Sequence, residues 1–226
     1  MSQSNFIYRM LTNPYSVMAI AILCSILWGS AFPVLKISYD ELGMSGDDLA
    51  AKIVFAGMRF FISAIILLMV MLFIDVKALK LKIKQLPFVF GLGVLSTSLQ
   101  YFFFYNGLAH TSGMKAAVLS SCGIFFVVLF AHFIYENDQL DWRKFIGLIM
   151  GFCGIVFANW GEDMTFQFTF FGEGFLLLSG LVSAFGTFLA KRLSMEIHPF
   201  ALTGWQMLFG SFLLLAVGTP CRNTEP

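Results

Sequence analysis

Residues 51–74 read AKIVFAGMRFFISAIILLMVMLFI and contain only two charged side chains, Lys52 and Arg59. About 20 apolar residues of α-helix cross the hydrocarbon core of a bilayer, and a helix satisfies its backbone hydrogen bonds internally where no water is present. The segment is therefore predicted to be a transmembrane helix, and lipid is the solvent against which the remaining sequence is interpreted.

Six further apolar segments have a similar length, so seven spans are predicted in 226 residues. The composition is 58% hydrophobic and 12% charged, whereas about 25% of the residues in a soluble domain are charged. The first segment is too long for a secretory signal and is interpreted as an uncleaved helix. The predicted fold class is an all-α integral membrane protein, a polytopic helical bundle with spans at 17–39, 51–74, 88–110, 114–135, 145–160, 172–189 and 200–218.

The positions of Lys and Arg predict the orientation, because short loops rich in these residues stay on the cytoplasmic side. Most of them follow the second, fourth and sixth spans, while the loop after the first span is acidic. The N-terminus is therefore predicted to be cytoplasmic and the C-terminus outside. The basic run at 77–84 is interpreted as a topology anchor and not as a nucleic-acid site, since no loop combines basic residues with interleaved aromatics.

The residues do not favour an enzyme, a metal site or a bound cofactor. Glu173, at the start of the sixth span, is the only Asp or Glu in any span, and no nucleophile motif or phosphate-binding loop is present. Cys24, Cys122 and Cys153 lie in three different spans without metal-ligand spacing. His132 and Glu136 share one helical face, which leaves two interpretations open: an interfacial polar pair or a proton relay.

Small residues recur on one face of the fifth span, at Gly147, Gly151 and Gly154. Small side chains let helix backbones approach closely in membranes, so this face is predicted to pack against another helix. Arg59 is the strongest polar signal at membrane depth. Its side chain is expected either to extend toward the interface beside Asp47 and Asp48 or to act directly in ligand binding or coupling.

The third span has a wide polar face, made of a Ser96, Gln100 and Phe103 stripe beside a stripe of Thr97, Tyr101 and Tyr105. This face is expected to turn toward the bundle interior, because polar groups are costly in lipid. The fourth and sixth spans add hydroxyl groups at Ser120, Ser121, Ser179, Ser183 and Thr187. Such a lining without fixed charge suits small amphiphilic molecules better than inorganic ions.

Several short motifs occur in a fixed order along the first five spans. They are Leu27-Trp28-Gly29-Ser30-Ala31-Phe32-Pro33, Arg59-Phe60-Phe61, the run from Gln100 to Leu108, Gly113-Met114-Lys115-Ala116-Ala117, Glu136-Asn137-Asp138 and Gly151-Phe152-Cys153-Gly154-Ile155. In this order and spacing they resemble the motifs of the EamA-type branch of the drug/metabolite transporter superfamily. One difference is Ile124, where such proteins often have a proline.

The resemblance implies ten helices built as two five-helix repeats of inverted topology. Residues 17–160 would form the first repeat, 172–218 the start of the second, and 219–226 a polar tail. Because only seven spans are present, we expect a chain truncated at its C-terminus. Two alternatives stay open: a fragment that does not transport, or a half-transporter that needs a second chain.

The implied function is movement of a small metabolite, such as an amino acid, an amine or a drug-like amphiphile, across the cytoplasmic membrane of a prokaryote. Efflux by alternating access, with coupling to protons, is what the resemblance suggests. The expected partners are the substrate, the lipid bilayer and, as an open alternative, a second copy in a homodimer, but no nucleic acid. The expected cavity walls are Trp28, Phe32, Gln100, Tyr101, Tyr105, Ser121, Ser183 and Thr187.

Overall fold

A computed structural model describes residues 13–44, 48–135, 140–158 and 169–222, and these residues contain no β-strand. Among these described residues, seven long helices overlap the seven predicted spans one for one. They are α1 (Pro14–Glu41), α2 (Leu49–Ile74), α3 (Leu86–Ala109), α4 (Gly113–Ile134), α5 (Trp142–Ala158), α6 (Phe170–Leu193) and α7 (Pro199–Arg222), with a short 3-10 turn at Val76–Leu79.

Five of these helices contain segments long and apolar enough to cross a membrane by length and composition. A sixth apolar segment, Pro14–Leu27, is shorter, and α5 ends at Ala158, so the last two residues of the predicted fifth span lie outside the described residues. The fold is therefore that of a multi-pass helical membrane protein. The five segments are Leu49–Ile74, Leu86–Ala109, Lys115–Ile134, Phe170–Leu193 and Pro199–Gly218.

Capping side chains stabilise the first turns of α1, α2 and α4. The Asn13 carboxamide oxygen accepts from the Tyr15 backbone N–H at 3.1 Å, Asp48 accepts from that of Ala51 at 2.9 Å, and Ser112 accepts from that of Lys115 at 3.3 Å. Each of these caps satisfies a donor that the first turn of a helix leaves without an intrahelical partner.

The chain divides into two compact units, Met1–Ser45 and Gly46–Pro226. The first unit contains α1, which includes Pro33. In the second unit, α7 packs along α2 and against the first half of α3, and α6 packs against both α3 and α4.

Glycines mark the closest helix crossings in the second unit. A Cβ built on Gly93 of α3 would lie 2.6 Å from the backbone oxygen of Gln206 on α7, and one built on Gly210 would overlap Thr97. Gly123 of α4 and Gly180 of α6 face each other in the same way. Such contacts hold membrane helices together by van der Waals packing, because the hydrophobic effect does not drive apolar side chains from lipid into a helix interface.

Two short stretches of π-helix interrupt the regular helices. One covers Val94–Leu99 in the middle of α3, directly after the Gly93 crossing, and the other covers Phe170–Gly174 at the start of α6. A π turn shifts the face on which the following side chains lie, and such turns are frequent at functional sites. The polar residues of α3 and Glu173 of α6 therefore occupy positions that a regular helix would not give them.

The close contact at Gly93 predicts that Gly93→Ala and Gly91→Ala differ in their effect on stability. Gly93→Ala places a methyl group against the α7 backbone, and overpacking of this kind costs about 1 to 3 kcal/mol. Gly91→Ala adds the same methyl group to the same helix where no atom lies within 4 Å of it. We expect Gly93→Ala to lower the melting temperature in detergent relative to Gly91→Ala. Equal melting temperatures for the two variants would contradict the crossing.

Candidate functional site

The two polar stripes of α3 face different helices. On the first stripe, the Gln100 backbone oxygen accepts a hydrogen bond from Ser179 Oγ of α6 at 2.9 Å, and the Phe103 ring lies 5.3 Å from that of Phe175. On the second stripe, Thr97 is buried against Gly210 of α7, and the Tyr101 ring lies against α2. The polar face of α3 thus lies between its neighbours, as a polar face in lipid requires.

Arg59 lies deep in α2. It follows the first residue of the helix, Leu49, by ten positions and precedes the last, Ile74, by fifteen. At 1.5 Å per residue these separations are about 15 Å and about 22 Å. An arginine at this depth costs roughly 2.5 to 3.5 kcal/mol on insertion scales unless protein or water surrounds its charge.

Asp48 does not pair with Arg59. Its carboxylate caps the N-terminus of α2 by accepting from the Ala51 N–H, about 16 Å along the axis from Arg59. That separation is much greater than the length of an arginine side chain. The other expected partner, Asp47, lies outside the described residues. A direct pair with Asp48 is therefore too distant, and the choice between the two interpretations of Arg59 stays open.

An aromatic cluster surrounds the Arg59 charge. The guanidinium carbon lies 5.0 Å from the centre of the Phe60 ring, and the Phe60 and Tyr101 ring centres are 4.4 Å apart. The Tyr101 and Tyr105 ring centres are 5.9 Å apart, so the cluster continues from Phe60 along α3. A cation over an aromatic face is attracted by the ring quadrupole, and this attraction holds the guanidinium against the Phe60 end of the cluster.

The hydroxyl group of Tyr105 is the unusual member of this cluster. The side chain is only 2% exposed, and the structure gives the hydroxyl no hydrogen-bond partner among the described residues. A buried polar group without a partner costs about 1 to 3 kcal/mol, so nearly all such groups are paired in folded proteins. Within the described residues, Tyr105 thus presents an unused donor in the same aromatic cluster as Phe60, against which the Arg59 guanidinium lies.

The other expected cavity residues are placed as follows. Gln100 and Ser183 are half-buried, Thr187 is exposed, and the Thr187 hydroxyl donates to the Ser183 backbone oxygen at 2.9 Å. Ser121 donates to the Ala117 backbone oxygen, also at 2.9 Å. Trp28 and Phe32 belong to α1, but their side chains lie outside the described part of the structure. The structure therefore places Tyr101 and Tyr105 in the aromatic cluster that begins at Arg59 and Phe60. The Ser121 and Thr187 hydroxyl groups instead donate to backbone oxygens of their own helices.

The predicted packing face on α5 borders a groove. A Cβ built on Gly147, Gly151 or Gly154 would meet no described atom within 4 Å. Gly147 and Gly151, together with Ser121 of α4, line an apolar groove of about 290 Å³ between α4 and α5. The structure thus shows no helix against this face within its described residues, and the packing role of the three glycines stays a prediction.

His132 lies in the last turn of α4 and makes a local hydrogen bond. Its Nδ1 atom accepts from the Leu140 backbone N–H at 3.0 Å, and its ring is exposed. The expected partner, Glu136, lies outside the described residues. The choice between a polar pair and a proton relay therefore stays open.

Sequence reasoning missed a buried ion pair at one end of the bundle. Glu173, in the π turn of α6, accepts from Lys115 Nζ at 3.2 Å, Thr111 Oγ1 at 3.0 Å, the Thr169 N–H at 2.7 Å and Thr169 Oγ1 at 2.6 Å. Both charged side chains are nearly buried, with 13% and 9% of their surface exposed. The carboxylate therefore joins the α3–α4 turn to the start of α6.

Comparison with known proteins gives a consistent picture. The EamA-like transporter family matches residues 16–160. The chain is 27% identical over 188 residues to an uncharacterized transporter of Archaeoglobus fulgidus, which covers 83% of this chain and 62% of that protein. It is 26% identical over 206 residues to the uncharacterized transporter YoaV of Bacillus subtilis, covering 88% and 65% respectively.

A WAT1-related chloroplastic protein of Arabidopsis thaliana is 26% identical over 119 residues, 51% of this chain and 28% of that protein. The chain spans less than two thirds of the length of the archaeal and bacterial transporters. No solved structure matches it.

The Glu173 ion pair predicts that removing the Glu173 carboxylate lowers stability much more than removing the Glu196 carboxylate. Glu173→Ala removes the group that four donors share, and losing one partner of a buried ion pair costs about 3 to 5 kcal/mol. Glu196→Ala removes an exposed carboxylate that accepts one hydrogen bond, from Gln85 at 3.0 Å. Thermal unfolding in detergent should show a clear loss of stability for the first variant only. Equal losses would refute a structural role for the pair.

Proposed function

The chain belongs to the EamA-like transporter family, and we propose that it moves a small metabolite across the cytoplasmic membrane by alternating access. Transporters of inverted-repeat architecture bind substrate near the bilayer midplane, between helices that rock about the site. The observation that supports this most directly is the group of Arg59, Tyr101 and Tyr105 between α2 and α3, at a depth where lipid alone would not tolerate it.

The substrate site of this proposal lies on the polar face of α3. Gln100 and Tyr101 directly follow the π turn, and the hydroxyl groups of α6 approach them at Ser179. Aromatic walls with a few convergent polar groups are typical of small-molecule sites. Within the second compact unit, Ser121, Ser183 and Thr187 complete the proposed lining, which suits amino acids, amines or drug-like amphiphiles.

The repeat organisation is part of the proposal. The family match over residues 16–160 supports a first repeat at 17–160, and α6 and α7 would open an inverted second repeat at 172–218. The Lys and Arg distribution supports a cytoplasmic N-terminus. In this arrangement the Glu173–Lys115 pair connects the two repeats, so it would loosen in one of the two states of the transport cycle.

A fragment without transport activity is the competing proposal, because the chain spans only part of its relatives. The two proposals differ in flux. In the first, liposomes containing the full chain take up labelled substrates faster than empty liposomes. In the second, the rates are equal.

The flux test uses a panel of labelled amino acids and amines. We expect at least one to move faster than in empty liposomes, and Tyr101→Ala to reduce that flux about tenfold, because the tyrosine forms a wall of the proposed site. Tyr15→Ala, which alters an exposed ring at the start of α1, is the control and should leave the flux unchanged. Absence of flux for the whole panel would contradict the proposal.

Proton coupling is tested in the same liposomes. If the substrate moves with protons, a pH gradient across the liposome membrane accelerates flux. Equal rates with and without the gradient would reject the coupling while leaving transport itself intact.

A further inference from the structure

We propose that Arg59, together with the hydroxyl groups of Tyr101 and Tyr105, binds the carboxylate of the transported substrate. The inference rests on the proposed transport function and narrows its substrate class to small monocarboxylates, including amino acids, and away from simple amines. It follows from the position of Arg59, from the distribution of acidic groups and from the unused donor on Tyr105.

Few of the described acidic groups in the second compact unit could neutralise Arg59. The described carboxylates of that unit all lie at helix ends or in the turns beside them: Asp48, Asp75, Asp141, Glu173 and Glu196. Glu173 is saturated by four donors, and Asp48 caps its own helix. Within the described residues, no carboxylate lies at salt-bridge distance from Arg59. Its charge is therefore available to an anionic ligand.

The groups around Arg59 offer hydrogen-bond donors. A guanidinium group has only donors, and a phenol hydroxyl donates readily to an anionic oxygen. The buried Tyr105 hydroxyl has no partner in the described structure, and the Tyr101 ring lies between Tyr105 and the Phe60 ring beneath Arg59. A cluster that offers donors and no anion is complementary to an acceptor. A carboxylate supplies two oxygens, which fit the two parallel N–H groups of arginine.

The single positive charge of Arg59 limits the charge of the ligand. One guanidinium group provides one positive charge, which balances a monocarboxylate. A dianionic phosphate would keep a net negative charge among buried aromatic rings, and an ammonium group would add to the charge already present. The adjacent rings of Phe60, Tyr101 and Phe104 also favour a carboxylate with an apolar body.

Three ligands with the same apolar body test the inference: phenylacetate, phenylacetamide and phenethylamine. They are titrated into the full chain in nanodiscs, and binding is followed by the shift in melting temperature. We expect phenylacetate to bind about tenfold or more tightly than the amide, and the amine to bind more weakly still, since charge-assisted hydrogen bonds are roughly twice as strong as neutral ones.

Tyr105→Phe is the decisive variant. It removes a hydroxyl group that has no partner in the described part of the ligand-free protein, so folding should be unaffected or improved. We expect it to weaken phenylacetate binding about fivefold to tenfold and to leave amide binding nearly unchanged. Tyr135→Phe, at the end of α4, is the matched control and should change neither.

Arg59→Lys and Arg59→Met complete the series. Lysine keeps the charge but loses the fork of parallel donors, so the preference for phenylacetate should shrink. Methionine should abolish the preference. If the wild type binds the three ligands equally, or binds none of them, the inference is overturned, and the same holds if Tyr105→Phe behaves like Tyr135→Phe.

The flux assay separates this inference from the proposed function. Flux of labelled substrate that is indifferent to Arg59→Met and Tyr105→Phe would leave transport standing and overturn the carboxylate site. Selective phenylacetate binding without any flux would support the site and contradict transport.

Discussion

The whole structure depends on the absence of water in the bilayer core. Polar groups there must be satisfied by protein, and this requirement decides which face of each helix is buried. On α3, Thr97, Gln100 and Tyr105 lie against neighbouring helices, while Leu99 remains 38% exposed to the surroundings. On α2 the same division puts Phe60 inside and leaves Ile62, Ile66 and Met69 exposed.

Close backbone packing then holds the helices together. The contacts at Gly93 with Gly210 and at Gly123 with Gly180 bring α7 onto α3 and α6 onto α4. With the helices fixed in this way, Arg59 can remain deep in α2 beside Phe60 and Tyr101. We propose that a cation in this position is functional, because replacing it with an apolar residue would remove the insertion cost.

The sequence predicted the helices and the orientation of the α3 stripes well, because apolar length and 3.6-residue periodicity are local properties. It could not identify which small residues touch another helix. Gly147 and Gly151 of the regular repeat border a groove, and the packing role of that repeat stays a prediction, while single glycines such as Gly93 and Gly210 form tight crossings. Which helix lies against a face depends on the whole bundle and not on the repeat itself.

The sequence indicates individual candidate residues of the site but not their contacts. Arg59, Tyr101 and Tyr105 are recognisable as polar or amphipathic groups at membrane depth, and the structure links them through the Phe60 ring, while their role in binding stays a prediction. Glu173 was visible as the only acidic residue in a span, but its partners Thr111 and Lys115 lie about 60 positions earlier. The two π turns, which set the side-chain directions of Gln100 and Glu173, leave no signature in the apolar pattern.

The central proposal is that the polar face of α3, which packs against neighbouring helices in this structure, opens to water and substrate during the transport cycle, while Leu99 stays exposed to lipid. Gln100→Cys and Leu99→Cys test it in a background without Cys24, Cys122, Cys153 and Cys221. Each variant is treated in sealed vesicles with a membrane-impermeant maleimide. The account predicts that the cysteine at position 100 is labelled and the one at position 99 is not. Labelling of position 99 alone, or of neither position, would contradict it.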